Sequence, residues 1–193
     1  MNNPMRINHP LEDSLNAPAS DILEAVYHGF RAQVDVKGKL AELYLNRRLA
    51  DLKESGTISN FDWNDKDDKP DFVIHYKGRS IRIECKNVRS GEKSTLKKGK
   101  HKGWYKVEIQ KTRGGKDPKT GIQTRGYSVD RFDILAACLF NQTGKWEYLF
   151  SVTKNLALRT DNPTLLQVFQ AVPRMPQAKW TEDFLEVLKL ATR

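Results

Sequence analysis

Two carboxylates and a lysine near the middle of the chain have the types and spacing for divalent-cation chemistry. Asp71 follows Pro70, and after a spacer of twelve residues Glu84 and Lys86 flank Cys85. A magnesium ion takes hard oxygen ligands in near-octahedral geometry, usually with one or two protein carboxylates, and keeps positions open for water and phosphate. Asp71 at the start of one strand and Glu84 on the next would converge on such an ion, with the backbone carbonyl of Cys85 as a further ligand. Residues two apart on a strand share a face, which sets Lys86 beside Glu84. Its ammonium would hold or activate the attacking water and offset charge on the phosphate, while the ion lowers the pKa of that water.

The elements needed to position these groups are legible as patterns. Phe72, Ile74 and Tyr76 alternate with Asp71, Val73 and His75, Lys77-Gly78 makes a turn, and Ile81, Ile83 and Cys85 alternate with Arg82, Glu84 and Lys86. This is a hairpin with one face in the core, and the chemistry-bearing side chains are expected to face away from it. A helix is expected from about Ser20, where Asp21 and Glu24 resemble a capping box and Leu23, Val26, Tyr27 and Phe30 follow at helical spacing. A second helix over about 36–54 should stop at Gly56, with a short strand over 58–63. Residues 104–110 alternate as a strand does, with a helix as the other reading. The continuous apolar run over 132–140 suits a fully buried strand, 146–152 its neighbour, and Thr181 opens an amphipathic helix. Residues 1–19, polar and dotted with proline, are expected to form a loose arm, with 20–193 as a single α/β domain.

Glu42 lies on the second helix, on one stripe with Gly38, Leu45 and Leu49. A carboxylate among apolar neighbours is costly unless a cation or donor meets it. That makes Glu42 a third candidate metal ligand, with a rim position or an ion pair to Arg47 or Arg48 as the other explanation. A helix with G-x-x-A-E over 38–42, then Pro70-Asp71, then Glu84-Cys85-Lys86, resembles the core of the PD-(D/E)XK nuclease superfamily, which includes many restriction endonucleases. The resemblance implies a restriction-endonuclease-like fold, a central mixed β-sheet of four or five strands flanked by helices. It also implies magnesium-dependent cleavage of double-stranded DNA to leave 5′-phosphates, with manganese as a substitute ion. On that pattern Glu42, Asp71, Glu84 and the Cys85 carbonyl are metal ligands and Lys86 serves the water. The stretch Ile109-Gln-Lys-Thr-Arg-Gly-Gly, with Arg125-Gly-Tyr and the segment from Phe132, is similar to restriction-type members. Gln110 has Gly114 four residues on, so the Q-x-x-x-Y arrangement of the exonuclease branch is missing.

Charge supports a polyanionic partner. Residues 77–131 hold 17 Lys and Arg against 5 Asp and Glu, an excess larger than the whole chain's net +9. Two Gly-rich basic stretches carry it. Lys93, Lys97, Lys98, Lys100 and Lys102 are flexible point charges suited to phosphates, and Gln110, Lys111, Arg113 and Arg125 belong to the second stretch. The two arginines there suit bidentate contact with guanine or phosphate. Cutting both strands from one centre is simplest in a twofold homodimer. The 132–140 strand and the helix from Thr181 are the apolar surfaces available for pairing, though both suit a core better. Two rivals use the same residues: a repair, recombination or mobile-element nuclease reading DNA structure, and a non-catalytic DNA-binding module. No run of apolar residues is long enough for a membrane span, and the first residues lack a signal-peptide core. Cys85 and Cys138 both sit in apolar strands, as expected of reduced thiols in a cytoplasmic protein. Two cysteines and four histidines offer no zinc-ligand spacing.

Overall fold

The structure, a computed structural model, describes residues 9–66, 69–92, 94–110 and 126–193. Residues 1–40 and 41–193 form two compact units. In the first, Pro10–Leu15 (α1) and Ala19–His28 (α2) are helical, and Phe30–Glu54 (α3) begins. Part of the expected arm is therefore ordered locally. His9 Nδ1 accepts from the Leu11 amide at 3.1 Å, and Glu12 accepts from the amides of His9 and Ala19, each at 2.8 Å. These contacts satisfy amides that a helix start leaves without partners. The second expected helix starts at Phe30 rather than Val36, directly after Gly29 closes α2.

The second unit is built on a five-stranded mixed sheet. Its strands are Asn60–Trp63 (β1), Phe72–Tyr76 (β2), Arg79–Asn87 (β3), Ile134–Cys138 (β5) and Tyr148–Val152 (β6), in the order β1-β2-β3-β5-β6. Neighbours are antiparallel except β3 and β5, which run parallel. The β2–β3 hairpin turns at Lys77 and Gly78, with φ of 49° and 75°. Two successive positive φ values match the twist of the flanking strands, and glycine takes the second without strain.

The sheet is covered on both faces. On one, Ala41, Leu45 and Leu49 of α3 and Phe184, Val187 and Leu188 of Phe184–Ala191 (α5) pack on Phe72, Ile74, Ile81, Ile83, Ile134, Ala136 and Phe150. The other face carries Leu135, Ala137 and Leu149, and is covered by Val88, Val107, Ile109, Tyr127, Phe132, Leu166 and Val172. Much of this cover comes from the crossover between β3 and β5, since a parallel pair requires a long connection. Within that crossover Tyr105–Glu108 (β4) pairs antiparallel with Phe169–Val172 (β7). The face expected to be open is thus a second core. The 132–140 run forms a strand only over Ile134–Cys138, because Phe140–Thr143 (α4) turns into a short helix. All of β5 is buried, as are Phe184, Val187 and Leu188 of α5, so the two suggested pairing surfaces are used largely inside the unit. Cys85 and Cys138 are free and buried. Among the described residues no helix is long and apolar enough to cross a membrane.

One polar lock sets the register of β3 against β5. Asp133 accepts from Arg82 three times, from its backbone N–H at 2.8 Å, Nε at 3.0 Å and Nη2 at 2.9 Å. A slip of one residue would turn Glu84 and Lys86 to the opposite face. Burial alone would raise the Asp133 carboxyl, but the donations from Arg82 hold it below the usual aspartate range. Its contribution to stability is therefore present above the unfolded value and lost as pH falls through the lowered one. Acid unfolding followed by circular dichroism is expected to be less steep for Asp133→Asn than for the unaltered chain below about pH 4. Parallel curves would remove Asp133 as the lock.

Candidate active site

The β2–β3 hairpin brings Asp71, Glu84 and Lys86 together. Asp71 stands just before β2, and its Oδ2 accepts from the Cys85 amide at 2.7 Å and from Lys86 Nζ at 3.3 Å. Lys86 Nζ lies 2.6 Å from Glu84 Oε1. One ammonium thus bridges a carboxylate of β3 and the carboxylate that immediately precedes β2. Glu84 is 2% exposed, against 27% for the lysine side chain and 17% for Asp71. The cluster is closed at the glutamate and open at the other two groups.

Strand geometry explains the arrangement. Glu84 pairs with Leu135 in register, so its side chain shares that residue's face and enters the second core. The N–H and C=O of one strand residue point to the same edge. Because the Cys85 N–H meets Asp71 beyond the end of β2, its carbonyl faces the same side. The Cys85 side chain lies in the opposite core, where burial pushes its thiol well above the ordinary value, so only its backbone is available here.

Charge and burial oppose each other at Glu84. Burial raises its carboxyl above the usual range; Lys86 pulls it down and the Asp71 charge pushes it up, with a net rise. Burial would lower the Lys86 ammonium, but Glu84 and Asp71 hold it well above the usual lysine value. Among the described residues Glu84 Oε2 is buried without a hydrogen-bond partner, an arrangement that costs free energy unless a cation or donor meets it. Magnesium needs only one or two carboxylates, so Asp71 and Glu84 with this free oxygen form a donor set that fits it.

The remaining expected residues are distributed differently. Glu42 is buried and its Oε2 accepts from the Trp63 indole at 2.9 Å. Its charge acts on the Cys85 thiol, yet among the described residues no three His, Cys, Asp or Glu side chains converge as a cation cage. Lys97, Lys98, Lys100 and Lys102 are exposed at the tip of a loop closed by Leu96 and Trp104, with the Leu96 amide donating to the Trp104 carbonyl at 2.9 Å. Gln110 donates to Glu108, which also pairs with Arg89 at 2.7 Å. Lys93, Lys111, Arg113 and Arg125 lie outside the described residues. Tyr127, which enters the sequence pattern only within Arg125-Gly-Tyr and without a role of its own, donates from its hydroxyl to Glu84 Oε1 at 2.8 Å. Its position just after the basic stretch, in no periodic element, gave no signal of that contact.

Removing the shared cation should expose the balance of the cluster. Lys86→Met is expected to cost about 3–5 kcal/mol at neutral pH without divalent ions, because it leaves a buried carboxylate uncompensated. The deficit should shrink below about pH 4 as the carboxyls become neutral. Urea unfolding at both pH values measures it, and a deficit independent of pH would contradict the electrostatic account.

No protein-family model matches the chain, and no curated protein matches it. A solved structure similar to it is that of a bacterial homing endonuclease, I-Ssp6803I. The two share 18% identity with a TM-score of 0.40, over 62% of this chain and 67% of the other.

Proposed function

We propose that the protein is a magnesium-dependent DNA endonuclease of the PD-(D/E)XK type, most similar in action to type II restriction enzymes. The observation that carries this reading is the meeting of Asp71 and Glu84 at one Lys86 ammonium, with a buried Glu84 oxygen lacking a partner. In this reading Asp71, Glu84 and the Cys85 carbonyl hold the ion, and Glu42, whose Oε2 takes the Trp63 indole N–H, is the further carboxylate of the pattern. When bound, the ion supplies Lewis-acid stabilisation of charge on the phosphate.

The chain's own groups do the rest. Lys86 stays protonated between its carboxylates, so it acts as a donor that orients water or a phosphate oxygen and stabilises negative charge there. Hydrolysis adds water at phosphorus and breaks the bond to the 3′ oxygen, leaving a 5′-phosphate and a 3′-hydroxyl. Val88, Val107 and Ile109 of the crossover pack on the same sheet face as Glu84. The exposed Lys97, Lys98, Lys100 and Lys102 belong to the same connection, which supports DNA approaching from that side. Two copies, each cutting one strand, would complete a double-strand break.

The test uses long unmethylated duplex DNA with magnesium or manganese. Discrete fragments are expected from the unaltered chain, and none from Asp71→Asn or Glu84→Gln chains that keep their fold. Cutting confined to branched or mismatched DNA would favour a repair or recombination role. No cutting of any substrate, or unaltered cutting by either variant, would overturn the proposed centre.

Binding offers a second check. Each neutralised phosphate adds about −0.9 to the slope of log affinity against log salt. The double variant Lys97→Ala and Lys98→Ala is expected to flatten that slope by about 0.9 for each phosphate no longer neutralised, without changing sequence preference. An unchanged slope would remove this loop from the DNA interface.

A further inference from the structure

Glu84 has two oxygens with different surroundings. Oε1 receives two donors, Lys86 Nζ at 2.6 Å and the Tyr127 hydroxyl at 2.8 Å. Oε2 is buried and has none among the described residues. A carboxylate with one oxygen pinned from two directions cannot rotate freely about its terminal bond, so the other oxygen keeps a fixed direction. We infer that Tyr127 is a positioning residue of the cation site, fixing Glu84 through Oε1 so that Oε2 is presented to the divalent ion. This rests on the metal-dependent reading above.

The surroundings of Tyr127 suit such a role. Its ring meets Phe132 edge-on, with centroids 6.0 Å apart, and its carbonyl accepts from the Leu166 amide at 2.9 Å. The Arg131 guanidinium lies 5.7 Å from the ring centroid and donates to the Lys69 carbonyl at 3.0 Å, two residues before Asp71. Tyr127 and Arg131 therefore connect the glutamate side of the cluster to the segment leading into Asp71. The phenol is itself held by packing, and its hydroxyl is a donor of set direction. Partners that orient a metal ligand typically change metal affinity or activity by about 10–100-fold when removed.

The variant Tyr127→Phe keeps the ring and removes only the donor. Manganese binding to the full chain, without DNA, is measured by calorimetry for the unaltered protein, Tyr127→Phe and Asp71→Asn. The expected result is affinity about 10–100-fold weaker for Tyr127→Phe, a retained fold with a modestly lowered thermal midpoint without metal, and cleavage restored toward the unaltered kcat by more manganese. Unaltered affinity in Tyr127→Phe, with affinity abolished in Asp71→Asn, would overturn the role of Tyr127 and leave the metal reading intact. Loss of the fold in Tyr127→Phe would assign the hydroxyl to stability and overturn the inference. No manganese binding by the unaltered chain would overturn the metal reading and this inference with it.

Discussion

The unit from residue 41 onward is organised around a carboxylate that the sheet forces into a core. Glu84 lies on a central strand between Ile83 and Cys85, whose side chains fill the opposite face. Its own side chain therefore has to enter the second core, among Leu135, Ala137 and Tyr127. Isolated there, an ionised carboxylate would be very costly. Lys86, two residues on and on the same face, supplies the compensating charge, and Asp71 at the end of β2 shares it. The resulting triad is under-compensated at Glu84 Oε2. Such unfinished compensation is unusual in a structural ion pair and is what an ion-binding site requires.

Hairpin register does most of the positioning. Arg82 and Asp133 lock β3 to β5, the turn at Lys77 and Gly78 locks β3 to β2, and both act within a few residues of the cluster. The crossover from β3 to β5 then has two duties. Val88, Val107, Ile109 and Phe132 close the second core, while the intervening basic stretches carry the positive charge. A parallel pair at the centre of the sheet makes that long connection obligatory, and its described apolar residues cover the face that bears Glu84.

Much of the site was legible because alternation is a strong signal. The β2–β3 hairpin, its turn and the pairing of Glu84 with Lys86 on one face follow directly from the order of apolar and polar residues. What alternation cannot report is whether the polar face is covered, since burial there depends on residues far along the chain. Tyr127 and Leu166 reach Glu84's face only through the crossover and the segment after β6. Strand β7 escaped for a related reason: one of its two inward positions is Gln170, whose amide group bonds to both the N–H and C=O of Ala157 at 2.7 and 2.9 Å, and only Val172 is apolar there. A polar residue satisfied by a distant backbone reads locally as a loop. Apolar runs were likewise ambiguous between core and interface, and the burial of β5 and α5 decides for core.

The central claim is that a divalent ion is held between Asp71 and Glu84, and it can be located without any DNA. Iron(II) substituted for magnesium, with ascorbate and peroxide, generates hydroxyl radicals that cut the polypeptide beside the bound metal, and mass spectrometry maps the breaks. The account predicts breaks clustered near Asp71 and at residues 84–86, suppressed by excess magnesium and absent from Asp71→Asn. Breaks elsewhere, or a pattern indifferent to magnesium and to the substitution, would contradict it.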